Sequence, residues 1–396
     1  MSLVHNTTDP GCSTSSSIAT DGTLTYATID LGAIAHNVSA IKAHVGAAVE
    51  VIAVVKANGY GHGAIAAARA ALRGGATRLA VARVGEGIEL RRAGITAPIL
   101  VMTYTPPEAA DAVIGANLTA AVSDWDVAQA LWARANALGR AVTVHLKVDT
   151  GMGRFGLLPD EVAPFVSQVM ALPPGLDLEG LFTHLAVADE ISASSQAYTR
   201  QQLATFKAAS DAITAAGHRI RLRHAANSAA MMTLPDSYFE AVRPGIAIYG
   251  MNPSDEVTAP FTLRPALALK SRVARVRTLP PGSSISYGRT FVTERPTPVA
   301  LIPAGYGDGY RRLISNRGGA VLIRGRRAPI AGRVCMDAFV VDVSGIAGVQ
   351  RDDEVVLIGA QGDERITAEE VARWGQTVNY DVTTSILPRV KRIYIP

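Results

Sequence analysis

The chain has 396 residues, 48% of them hydrophobic, with a formal net charge of +4 and a pI near 9.1. That length and apolar content suit one large barrel plus a smaller domain, with little room for disorder outside the termini. Lys and Arg are scattered rather than clustered, which speaks against nucleic-acid binding, and no run of about 18 apolar residues is present to span a membrane.

Two cysteines, Cys12 and Cys335, make neither a disulfide framework nor a zinc knuckle, so a reducing cytoplasm is the expected location. Residues 1–23 are rich in Ser and Thr, lack an apolar stretch, and read as a flexible tail rather than a signal peptide. Residues 26–31 alternate and read as a short strand, and 32–45 as a helix. The β-branched run 51–55 is a buried strand that ends on Lys56. Three glycines, Gly59, Gly61 and Gly63, then mark a tight loop before an alanine-rich helix. A charged amine at the tip of a buried strand is costly unless it is paired or reactive.

A regular rhythm follows. Helices over 62–74, 85–93, 107–115, 124–138, 160–171 and 195–216 alternate with strands over 79–82, 98–102, 118–122, 142–148, 178–182 and 220–224, and a short helix at 228–233 leads to a strand at 240–243. Counted from residue 51 there are eight strands, all expected to be parallel with right-handed crossovers. The expected fold is α/β: a (β/α)8 TIM-like barrel over 24–258, then a mainly-β C-terminal domain over 259–396, where short alternating runs are broken by Gly and Pro. The strand within 24–31 is free to pair with the second domain, since a closed barrel has no edge for it. An open doubly wound sheet is the weaker alternative, because no Gly-x-Gly-x-x-Gly fingerprint follows the first strand.

Active sites of such barrels lie at the C-terminal ends of the strands. The reading puts Lys56 there after strand one, Lys147 and Asp149 after strand five, His184 after strand six, Asn227 and Ser228 after strand seven, and Arg243 with Gly245 after strand eight. The last two ends are the usual phosphate site of these barrels. A phosphate facing a lysine suggests pyridoxal phosphate (PLP), with Lys56 as its Schiff-base lysine. A class I aldolase-type barrel acting on a phosphosugar fits the same residues. No His, Cys and Asp cluster has metal spacing.

Residues 55–63, Val-Lys-Ala-Asn-Gly-Tyr-Gly-His-Gly, closely resemble the cofactor-lysine motif of alanine racemases, the fold type III PLP enzymes. The segments 147–156, 224–230, 243–250, 286–288, 304–309, 332–337 and 379–382 resemble that family's motifs in the same order, so the resemblance runs over about residues 24–396. It implies interconversion of L- and D-alanine by a two-base mechanism, with Lys56 on one face and Tyr287 on the other, supplying D-alanine for peptidoglycan. It implies that His184 contacts Tyr287 and is backed by Arg243, which also faces the pyridine nitrogen. Tyr60, Asn227, Ser228, Gly245, Ile246 and Tyr380 are implied cofactor contacts, mainly to phosphate. Arg154 is implied to hold the cofactor's phenolic oxygen and the substrate carboxylate. Met336 and Asp337 are implied substrate contacts, and Tyr306 an entrance residue. Lys147 resembles a lysine carbamylated in some members; the plain alternative is pairing with Asp149 or Asp337. Because Tyr287, Tyr306 and Met336 lie in the second domain, the resemblance implies a homodimer with shared sites. Rival functions are a broader or serine-preferring racemase, a PLP amino-acid decarboxylase and a non-catalytic PLP carrier.

Overall fold

The structure, a computed structural model, describes residues 22–396. The expected tail over 1–23 therefore lies almost wholly outside the described residues, as does Cys12. Eight parallel strands form the first sheet: Glu50–Val54, Arg78–Val81, Ile99–Val101, Thr119–Val122, Val142–Lys147, Leu176–Phe182, Leu222–His224 and Ala241–Val242. The first seven pair in chain order, and the eighth pairs with the first, Val51 opposite Val242. The seam between the seventh and eighth strands is closed by backbone hydrogen bonds, from Glu240 N–H to the Arg223 carbonyl (3.1 Å) and from Arg243 N–H to the Ala226 carbonyl (2.9 Å). The strands are largely apolar because helices cover the outer face and side chains fill the bore. Val51, Ala53, Leu79, Ile99 and Val101 are fully buried.

Small residues set the helix spacing. In the helix Ala64–Arg73, Ala67, Ala68, Ala70 and Ala71 are fully buried. A side chain at Gly74, at that helix's end, would strike the Ala35 carbonyl at 2.4 Å, so the helix Leu31–Val45 packs directly against it. Asp30 starts the Leu31–Val45 helix by accepting a hydrogen bond from Ala33 N–H (2.7 Å).

The second sheet is antiparallel for most of its length and runs from Arg275–Leu279 at one edge to Lys391–Ile395 at the other. Tyr26–Asp30 belongs to it, antiparallel to Leu267–Arg272 and parallel to Lys391–Ile395. Two short helices, Ala368–Gly375 and Asn379–Thr384, interrupt this β region. The sequence carries a signal for the first: Thr367 caps it by accepting from Glu370 N–H (3.1 Å), at capping-box spacing. The second reaches back to the barrel. A Cβ on Gly61 would lie 2.0 Å from the Thr383 carbonyl, and Arg392 Nε–H donates to the Gly61 carbonyl (3.1 Å). The C-terminal segment thus grips the loop that follows Lys56.

Candidate active site

Lys56 stands two residues beyond its strand, at the mouth of the barrel. The loop after it is left-handed at Ala57, Asn58, Gly59 and Tyr60, a costly run for residues with side chains. Two carboxyl and amide groups hold it. Glu86 accepts from Ala57 N–H (2.6 Å) and from Ala82 and Arg83 N–H, which ties the loop to the end of the second strand. Asn58 Oδ1 accepts from Ala64 N–H (3.0 Å). Glu86 is a site-building residue that the sequence reading missed; its only sequence signal is its place in the first turn of a helix. His62 packs its loop: its Nδ1 meets the Gly59 and Tyr60 carbonyls and its ring stacks on Tyr249 at 4.4 Å.

A cavity of about 410 Å³ opens at this mouth, within the usual range for small-molecule sites. Lys56, Tyr60, His184, Ser228, Arg243 and Gly245 line it, with Asn227, Ile246 and Tyr380. Its phosphate end is shaped by an absence of side chain: a Cβ on Gly245 would meet the Tyr60 hydroxyl at 2.4 Å. Ser228 Oγ accepts from Gly245 N–H (2.9 Å), and Asn227 caps the helix Ser228–Thr233 through Ala230 N–H (3.0 Å). These hydroxyls and the glycine cradle fit a phosphate group.

Positive charge dominates the electrostatics. Burial, then the charge of Arg154, lowers the Lys56 pKa. His184 is pushed down to about 3 by burial and by Arg243, Arg154 and Lys147, so it stays neutral. Lys147 is pushed down to about 8, chiefly by burial. Its Nζ donates to the Phe155 carbonyl (2.6 Å) and lies over the Phe155 and Phe182 rings. The plain alternative, an ion pair of Lys147 with Asp149 or Asp337, is not formed. Asp149 instead accepts from the backbone N–H groups of Gly151, Met152, Gly153 and Arg154 (2.8–3.0 Å), which shapes the loop carrying Arg154. Asp337 pairs with Arg389.

Arg243 is buried, and burial lowers its pKa to about 9, so it remains charged at neutral pH. Its Nη groups donate to His224 Nδ1 (2.8 Å) and to the carbonyls of His224, Thr183 and Ala225. That leaves Nε–H as the donor not committed to the protein. The hydrogen-bond partner of Arg243 on an imidazole is thus His224, and its influence on His184 is electrostatic.

The remaining expected residues gather elsewhere. Tyr287 sits between the strands Ser284–Ile285 and Phe291–Val292, at the tip of a two-stranded ribbon. Ser286, at φ 64°, anchors it by donating to the Arg333 carbonyl (2.6 Å). Tyr306 N–H donates to the Cys335 carbonyl (3.0 Å), and Gly307 N–H to the Met336 carbonyl (2.8 Å). Tyr287, Tyr306, Met336 and Asp337 therefore form one cluster on the β region, and none of them lines the Lys56 cavity. Tyr287 is 71% exposed and Met336 53%.

Family models described as "Alanine racemase, N-terminal domain" and "Alanine racemase, C-terminal domain" match residues 29–253 and 266–394. The chain belongs to the alanine racemase family. An alanine racemase of Symbiobacterium thermophilum is 48% identical over 93% of this chain and 97% of its own, and one of Desulforamulus reducens is 46% identical over 93% and 98%. Among solved structures, the alanine racemase of Clostridium difficile 630 covers 94% of this chain and 95% of its own at 39% identity and a TM-score of 0.88. That of Bacillus anthracis with bound L-Ala-P gives the same figures. As expected for the family, the protein is a PLP-dependent isomerase that interconverts L- and D-alanine. The rival decarboxylase and carrier readings fall with this finding. Among the described residues, no helix is long and apolar enough to cross a membrane.

Proposed function

We propose that Lys56 and Tyr287 are the two acid–base groups of the racemisation, on opposite faces of the substrate α-carbon. Tyr287 is supplied by a second chain, in a homodimer whose two sites are shared. The observation that carries this reading is the split itself. Lys56, His184 and Arg243 line one cavity, while Tyr287 stands exposed on a two-stranded ribbon beside Tyr306 and Met336. An exposed tyrosine and methionine held in fixed places suit a surface that another copy covers.

Pyridoxal phosphate, when bound, supplies the electron sink that makes the α-proton removable. Racemisation then requires a proton acceptor on each face. Lys56 must be neutral to accept a proton, and burial with the nearby Arg154 charge lowers its pKa in the required direction. The neutral imidazole of His184 is the proposed hydrogen-bond partner of the Tyr287 hydroxyl. The free Arg243 Nε–H is the proposed donor to the pyridine nitrogen. Arginine does not surrender that proton, so Arg243 would leave the ring nitrogen unprotonated, which would weaken the sink and disfavour transamination. Tyr60, Asn227, Ser228, Gly245, Ile246 and Tyr380 are proposed to hold the phosphate end. Arg154 takes the phenolic oxygen and substrate carboxylate, Met336 N–H contacts that carboxylate with Asp337 beside it in the substrate-binding set, and Tyr306 guards the entrance. The same reading places the division between barrel and β domain near residue 258, locates the protein in the cytoplasm, and assigns its D-alanine to peptidoglycan.

Borohydride reduction of the holoenzyme followed by peptide mass spectrometry is expected to leave pyridoxyl phosphate on Lys56. Label on another lysine contradicts the reading. Lys147 is the proposed carbamate site. A pKa of about 8 leaves roughly a tenth of its amine neutral at pH 7, and only the neutral amine takes up CO2. The resulting anion would face the cationic Arg154 and Arg243. Protein equilibrated with carbon-13 bicarbonate is expected to show a carbamate carbonyl resonance that Lys147→Ala lacks; its persistence in that variant would place the carbamate elsewhere.

A further inference from the structure

TIM-barrel bores are usually filled with branched apolar side chains. This one carries a polar chain instead. Arg243, at the mouth, donates from Nη1 to His224 Nδ1 (2.8 Å). His224 Nε2 meets His145 Nδ1 (2.9 Å), and His145 Nε2 meets Glu179 Oε2 (3.0 Å). Glu179 is held from the far side by both Nη groups of Arg78 (2.8 and 2.9 Å), and Arg78 Nε–H donates to Glu50 (2.8 Å). Glu50 and Arg78 are the first residues of their strands, so the chain spans the barrel from its catalytic end to its opposite end.

The donors fix its polarity. An arginine only donates, so His224 Nδ1 carries a lone pair and its proton lies on Nε2. That proton must be accepted by His145 Nδ1, which puts the second imidazole proton on Nε2 as well. An ionised carboxylate only accepts, so Glu179 closes the sequence. Both rings are fully enclosed, and both are kept neutral, His145 and His224 alike by burial. Each half of the chain demands the same tautomers as the other.

The fold bends to admit it. The pairing of the fifth and sixth strands slips in register between Val144 and His145. A Cβ on Gly180, in the sixth strand, would strike the His145 ring at 2.5 Å. A bulge and a glycine therefore seat one histidine over the intervening strand so that it reaches His224. Phe182 stacks on His224 at 5.0 Å and lies under the Arg243 guanidinium.

We propose that His145 and Glu179 are positioning residues for the racemisation: through His224 they fix the guanidinium plane of Arg243, so that its free Nε–H stays aimed into the cofactor cavity. This rests on the reading of Arg243 as the group facing the cofactor ring. Neither residue touches that cavity, and both act only through the relay. Substituting the partner behind a metal-ligating histidine typically costs about 10–100-fold, and a loss of that order is expected here.

Two measurements test it. Nitrogen-15 NMR of histidine-labelled holoenzyme, with resonances assigned through His145→Gln and His224→Gln, is expected to show both rings neutral with the proton on Nε2. A proton on Nδ1, or on both nitrogens, of either ring overturns the relay. The second compares His145→Leu with His145→Gln in holoenzyme. Glutamine offers one acceptor and one donor and keeps the polarity; leucine breaks it. Leucine is expected to lower kcat at least about tenfold with KM little changed and to shift the absorption band of the bound cofactor, while glutamine restores both. Equal losses in the two variants, with both folded by circular dichroism, overturn the proposal and leave His145 a packing residue. Arg243→Lys separates the two readings. If it alters band and rate while His145→Leu does not, the relay fails; if Arg243→Lys changes neither, the reading of Arg243 fails.

Discussion

Lys56→Ala is expected to lower racemisation at least about 10⁴-fold, because one side chain both tethers the cofactor and serves as a base. The cofactor cradle should survive, since Tyr60, Ser228, Gly245 and Tyr380 are untouched and the loop is held by Glu86 and Asn58 through groups other than the lysine amine. Equilibrium dialysis should therefore still find bound pyridoxal phosphate in the variant, without the band of the lysine-linked form. Retention of that band, or of racemase activity within about tenfold of the parent, would remove Lys56 from both roles.

Tyr287→Phe removes a hydroxyl and leaves the ribbon intact, because Ser286 anchors it through the Arg333 carbonyl. Loss of one positioned acid–base group should slow racemisation by about 10²–10⁴-fold. The informative readout is exchange of the α-proton in deuterium oxide. The enantiomer whose α-proton faces Lys56 should continue to exchange with its configuration retained, and the other should exchange far more slowly. Equal loss for both enantiomers would contradict a single-face role for Tyr287.

The barrel was legible because its signals are local and repeated. Apolar strands recur eight times, separated by helices, and the element ends differ from expectation by only a few residues. The helix expected over 62–74 begins at Ala64, since His62 and Gly63 finish the loop. In the β region the strands Leu267–Arg272 and Arg275–Leu279 follow one another closely, and Lys391–Ile395 went unread because its partner, Tyr26–Asp30, lies at the other end of the chain. The left-handed turn after Lys56 was hidden for another reason. Ala57 and Tyr60 carry no preference for that conformation, which is imposed by Glu86 and the C-terminal segment.

The candidate site divides in the same way. Lys56, Ser228 and Gly245 stand at strand ends and could be placed by counting. Arg243 could be placed but not its partner, because His224, His145 and Glu179 come from three different strands and meet only inside the bore. A histidine within an apolar run gives no hint of which way it faces. The exposed position of Tyr287 was equally unreadable, since exposure depends on the ribbon that carries it.

The most direct test of the shared site is to mix two inactive variants. Lys56→Ala and Tyr287→Phe chains, dissociated, combined in equal amounts and reassembled, should regain about a quarter of parental activity, because half of the dimers are hybrids and each hybrid holds one intact pair. Reassembly with no recovery of activity, although hybrid dimers are present by native mass spectrometry, would contradict a site built from Lys56 of one chain and Tyr287 of the other.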